Sequence, residues 1–176
     1  MRWMLDRDYS ALIRSEIRSA LTRANDYSLE DGEKMAEQEI RSYLKAMYDV
    51  DTIFVTYPEW SDGPTYEIEE VVRHRDHYWK ATVQTTNQPE DSADWVLFTY
   101  RDRLLVMILI DIALYHLHAA VNPRAISDIR VKRYNDAIAW LKKVAKGELI
   151  PDLPAVATED ITTLNYGSRD KTSDRW

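Results

Sequence analysis

With 176 residues, 45% of them hydrophobic, the chain holds enough apolar material for one domain with a real core. Its formal charge of −7 argues against tight binding of phosphate backbones, which needs clustered Lys and Arg, although a channel through which nucleic acid slides tolerates acidity. The absence of cysteine excludes disulfide frameworks, Cys-ligated zinc, iron–sulfur clusters and thiol nucleophiles.

The opening MRWMLDRDYS has no uninterrupted apolar run and no small-residue cleavage site, so a chain that stays where it is made is expected. From Tyr9 to Ala24, Leu12, Ile13, Ile17, Ala20 and Leu21 recur at three- and four-residue steps, which predicts a first amphipathic helix. Ser28 with Asp31 resembles a capping box for a second helix. Its apolar stripe is Ala36, Ile40, Tyr43, Leu44 and Met47, with Glu37 and Arg41 placed to pair on the opposite side. Gly32 falls in its first turn, where the cost of a glycine is most easily tolerated.

Helical periodicity stops between Pro58 and Thr99. Short β-branched and aromatic runs on either side of His74–His77 predict a hairpin, and Trp95–Phe98 is a further apolar run able to pair or pack. The helical pattern then returns from Leu104 to Val121, apolar nearly all round, as expected of a central helix enclosed by neighbours. Asp111, His116 and His118 interrupt this stretch, which argues for a core helix rather than a membrane span. Asn122 and Pro123 end it. Ser127 or Asp128 can cap the next helix, with the stripe Tyr134, Ile138, Leu141 and Ala145. Lys142, Lys143 and Lys146 complement its dipole and Gly147 stops it. The remainder has two prolines and no sustained period, so an extended arm is expected, with Leu149 to Leu164 ordering against a partner.

No arrangement of residues points to catalysis. His116 and His118 are two apart on a helix and point to different faces, which suits packing or an interface better than a metal. Asp111 needs a partner if buried, and Arg133 or Tyr134 can supply one in a structural network. The His74, Asp76 and His77 set reads as a solvated hairpin tip, and Glu69 with Glu70, like Glu30 with Asp31, as surface charge. With no Gly-rich phosphate loop, nucleophile elbow or His-Glu-x-x-His helix, the expectation is a protein that is not an enzyme and has no catalytic, cofactor-binding or metal-binding residues.

Three ordered motifs carry a resemblance. They are Ile40, Ser42, Tyr43 and Leu44; Asp111, Ile112, Ala113, Tyr115 and Leu117; and Arg133, Tyr134, Asp136, Ala137, Ile138, Trp140, Leu141, Lys146 and Gly147. In this order they resemble the family of phage head-to-tail joining proteins typified by that of phage Mu. The resemblance implies a mostly helical, homo-oligomeric ring subunit, usually one of about twelve, in the neck of the virion. Its partners would be the portal protein and further neck or tail proteins, with DNA passing through the bore without sequence-specific binding, no membrane and no cofactor. The subunit would be synthesised in the host cytoplasm. The stretch from Pro58 to Thr99 departs from that family, whose members have a short connection there.

That stretch is similar in turn to small chitin-binding modules, through Tyr66, Val71, Val72, Tyr78, Ala81, Thr85, Thr86, Pro89, Ser92 and Trp95. Sugar stacking needs an exposed aromatic face, and the sequence leaves open which of Trp60, Tyr78, Trp79 and Trp95 provides one. The alternative function is therefore a carbohydrate-binding surface module on a helical anchor, with Trp79 and Trp95 as platforms. The expected fold is mainly α: an antiparallel bundle of about four helices (residues 1–57 and 100–148), a small β-hairpin insertion (58–99) and an extended C-terminal arm (149–176).

Overall fold

The fold is known from a computed structural model that describes residues 2–10, 29–121, 124 and 126–156. Three long helices form its body: α2 (Leu29–Leu44), α4 (Arg103–Val121) and α5 (Asp128–Ala145), with the short α1 (Asp6–Ser10) and α3 (Val50–Ile53) beside them. Strands β1 (Val71–His74), β2 (His77–Ala81) and β3 (Trp95–Leu97) form one antiparallel sheet in the order β1-β2-β3.

This corrects the expectation of a four-helix bundle with a hairpin attached. Among the described residues the fold is mixed, with five helices and a three-stranded sheet. The helix expected over Tyr9–Ala24 lies outside the described residues apart from Tyr9 and Ser10. The run at Trp95 closes a third strand, pairing Ala81 with Trp95 and Trp79 with Leu97. The arm, expected over 149–176, needs correction as far as Val156, while residues 157–176 lie outside the described residues. Leu149 and Leu153 pack on the main core, Ala155 bridges Tyr48, and the Val156 N–H donates to Met47 O at 3.1 Å. Prolines 151 and 154 removed the periodic signal without removing the apolar side chains that hold the segment down.

Each long helix shows why it packs as it does. In α2, Ala36, Ile40 and Leu44 are fully buried, at the four-residue spacing that makes one stripe. Gly32 is there for close approach: a Cβ would lie 3.1 Å from the backbone oxygen of Ala113 on α4. The Leu105 N–H donates to Asp102 Oδ1 at 2.7 Å, which starts α4 with a side-chain cap. α5 follows Ser127 in extended conformation and buries Ala137, Ile138, Leu141 and Val144, so its inner face is turned slightly from the predicted stripe and Ala145 is exposed. It ends as expected at Gly147, whose φ of +71° allows the N–H groups of Gly147 and Glu148 to reach the carbonyls of Val144 and Lys143.

The sheet has its own small core of Tyr66, Val72, Ala81 and Trp95, with Trp60 and Trp79 against it. Alternation along β2 turns Tyr78 to the opposite face. There it meets Tyr57 and Tyr100 edge to face, while its hydroxyl donates to Trp3 O at 3.3 Å. Arg101 completes the joint. Its guanidinium forks onto Asp8 at 2.6 and 3.2 Å and lies against the rings of Trp3 and Tyr78.

Candidate functional site

Three polar networks lie at the seams of the helical body. In the first, Arg2 grips Glu33 of α2 through Nε at 2.9 Å and a terminal nitrogen at 2.6 Å, and the Tyr9 hydroxyl donates to the same carboxylate at 2.9 Å. The bond to Glu33 drives the Arg2 guanidinium well above its ordinary range, and burial does the same for the Tyr9 phenol. Both therefore keep their protons, and the network acts as a fixed tie between the N-terminal segment and α2. Nothing in the spacing along the chain marks Glu33, which looks like any helix-surface carboxylate.

The second joins all three long helices. His116 Nε2 lies 2.9 Å from Glu39 Oε2, and the Tyr134 hydroxyl donates to Glu39 Oε1 at 2.9 Å. Tyr115 stacks on Tyr134 with ring centroids 4.1 Å apart. Burial, with the bond to Glu39, pushes the Tyr134 phenol up, so it serves as a donor and not as a base. His118 turns elsewhere, its Nδ1 2.8 Å from the carbonyl of Leu114 in its own helix.

The third holds Asp111, whose side chain is 8% exposed. Arg133 Nε lies 2.8 Å away and Arg130 is 3.5 Å away, whereas Tyr134 is committed to Glu39. Burial raises the Asp111 carboxyl against the downward pull of the two arginines, and burial lowers Arg130. Three ionised groups fixed in one seam suit a structural network. Among the described residues no group of three or more His, Asp or Glu is placed to hold a metal ion.

The sheet's candidates fall apart in the same way. His74 and His77 pair across a two-residue turn in which Arg75 has a φ of +52° and bonds Glu90. His74 is not at a solvated tip, because its ring packs on the edge of Trp60. Glu69 pairs with Lys80 at 2.7 Å, and Glu70 accepts the Glu67 N–H. Of the four aromatics considered for stacking, Tyr78 (2% exposed) and Trp95 (5%) are buried, and Trp60 and Trp79 are half-buried against the sheet's core. Thr85 and Ser92 order the loop before β3: the Thr85 hydroxyl donates to Asp94 Oδ2 and the Asp94 N–H donates to Ser92 Oγ.

What the networks leave over is surface. α4 exposes Leu104 and Met107 in its first turns. The outer face of α5 exposes Lys132, Lys142, Lys143 and Lys146, of which the first three have no carboxylate partner among the described residues. Both surfaces belong to one helix pair, in the order α4, a short connection, α5 and the docked segment to Val156. Residues 100–165 match the family model described as Bacteriophage Mu, Gp36.

The matched stretch is less than half of the chain, and it makes this region similar to a phage protein family of the Mu type. It contains the motifs around Asp111 and Arg133 but not the one at Ile40–Leu44, and it stops short of the sheet. No curated protein and no solved structure matches the chain. Within the Mu-like region, Asp111 and Arg133 turn out to be partners in one ion pair, and Tyr115 and Tyr134 partners in one stack.

Proposed function

We propose that the chain is a structural protein of a tailed bacteriophage, a head-to-tail connector subunit in the neck of the virion. It assembles with copies of itself into a ring of about twelve on the portal protein, presents a docking surface to the next neck or tail protein, and surrounds the path of the DNA. The observation that carries the reading is the match of residues 100–165 to the phage Mu family model.

Two features of that region support it. Asp111, His116, Arg133 and Tyr134 are engaged in ties that fasten α4 and α5 to each other and to α2, as suits a part that does mechanical work. Its helix α4 also keeps apolar side chains open to the surface, Leu104 and Met107. Apolar surface left over in this way is typical of subunits that pack on one another.

Cryo-electron microscopy of the protein alone and mixed with its cognate portal tests the reading. Rings coaxial with the portal bore are expected. A protein that stays monomeric and ignores the portal overturns it.

A further inference from the structure

The apolar surface of α4 lies in a groove with a definite chemistry. Leu104 is 40% and Met107 38% exposed. Met107 borders two depressions, one of about 490 Å³ that also touches Arg7, Phe98 and Arg103, and one of about 280 Å³ that also touches Leu104 and Trp140. Arg7 and Arg103 are exposed and have no carboxylate partner among the described residues; Asp8 between them is held by Arg101. Asp136 and the Asp111–Arg133 pair border the far depression. Two adjoining depressions that share Met107, with apolar walls at Phe98, Leu104 and Trp140 and two guanidiniums at one end that have no carboxylate partner among the described residues, fit an extended peptide that carries carboxylates followed by apolar side chains.

The chain contains such a peptide just past the last described residue, Val156. Glu159, Asp160, Ile161, Leu164 and Tyr166 fall within eight residues, a stretch that spans about 25 Å when extended. Its greater part lies inside the same family match as the groove, which runs to residue 165. The preceding residues are tied down beside the end of α2 by the Tyr48–Ala155 bridge and the bond from Val156 to Met47, which fixes the point from which the peptide starts.

We propose that residues 159–166 of one copy occupy the α4 groove of a second copy, with Glu159 and Asp160 against Arg7 and Arg103, and Ile161 and Leu164 against Phe98 and Met107. The tail of one subunit in the groove of the next is a heterologous contact, which closes into a ring when repeated. The inference rests on the connector reading, and it names the element that links neighbouring subunits.

The absence of cysteine makes a direct test available. A chain carrying both M107C and L164C is oxidised at high protein concentration and run without reductant, alongside an equimolar mixture of the two single variants. A ladder of covalent oligomers from the double variant, and a cross-linked dimer from the mixture that neither single variant forms alone, are the expected results. Charge reversal at R7E and R103E should cut the cross-link yield at least tenfold, and E159R with D160R in the same chain should restore it. A monomer two mass units lighter, with an internal disulfide, would place the tail in its own groove and overturn the proposal; so would the absence of any disulfide. Portal-bound rings that still form after removal of residues 157–176 would also overturn it while leaving the connector reading standing.

Discussion

Arg133 Nε lies 2.8 Å from Asp111 Oδ1, so the carboxylate that interrupts the most apolar helix of the chain is neutralised by the next helix in sequence. Removing one partner of a buried pair leaves the other charge desolvated. Arg133→Met should therefore cost about 3 kcal/mol in urea unfolding, because Arg130 at 3.5 Å is a poor substitute. The double variant Asp111→Leu with Arg133→Met should lose much less than the two single losses added together. Equal and additive losses would show that the pair does not act as a unit.

Gly32 sets the distance between α2 and α4. An alanine there gains about 1 kcal/mol in helix propensity. The new methyl, however, meets the Ala113 backbone oxygen at 3.1 Å in the middle of a helix that cannot yield easily. The clash should win. Gly32→Ala is expected to lower stability by about 1 kcal/mol, and Gly32→Leu by several times as much, read from thermal melts of the two variants.

Arg101 holds the sheet to the helices. Its side chain is 8% exposed, its partner Asp8 11%, and its plane packs on Trp3 and Tyr78. Lysine keeps the charge but not the fork or the flat face. Arg101→Lys should thus cost about 2 kcal/mol and Arg101→Ala about 4 kcal/mol. Hydrogen exchange should show the loss first at Tyr78 and Tyr100, where sheet and body meet.

The loop before β3 should respond to pH through Asp94. The Thr85 hydroxyl, with help from Asn87 and Ser92, holds its carboxyl below the usual aspartate range. A lowered folded-state pKa means that the contribution is fully present above the unfolded value near 3.9, and is lost as pH falls through the folded one. The Trp95 indole, which donates to Asn87 O at 2.9 Å, is a reporter. Its NMR signal should shift on acidification below about pH 4 in the natural chain. In Asp94→Asn that titration should be absent.

The chain's own pattern was a good guide where one local rule acted alone. The α2 stripe as far as Leu44, the pair Glu37–Arg41 at 2.8 Å, the stop at Gly147 and the apolar run at Trp95 appear where periodicity and turn chemistry place them, whereas Met47, the last residue of the expected stripe, lies past the helix and is exposed. Asp111 in so apolar a helix needs a partner on the sequence alone, and Arg133 is one able to serve. Legibility failed where several elements compete for the same group. Tyr134 sits one residue from Arg133, and only the rotation of α5 about its axis decides that it turns to Glu39 and not to Asp111.

The sequence by itself determined the long helices, the break in helical pattern between them, the absence of thiol chemistry and the resemblance to a phage family. These follow from composition and from spacing along the chain, which need no knowledge of what lies opposite. Tertiary structure alone decided that Glu33 is a buried tie, that Gly32 is a point of contact, that Trp95 is core and not platform, and that α4 keeps part of its apolar surface in the open. Each of those depends on which atoms of a distant segment come within a few ångströms, and spacing along one chain does not encode that distance.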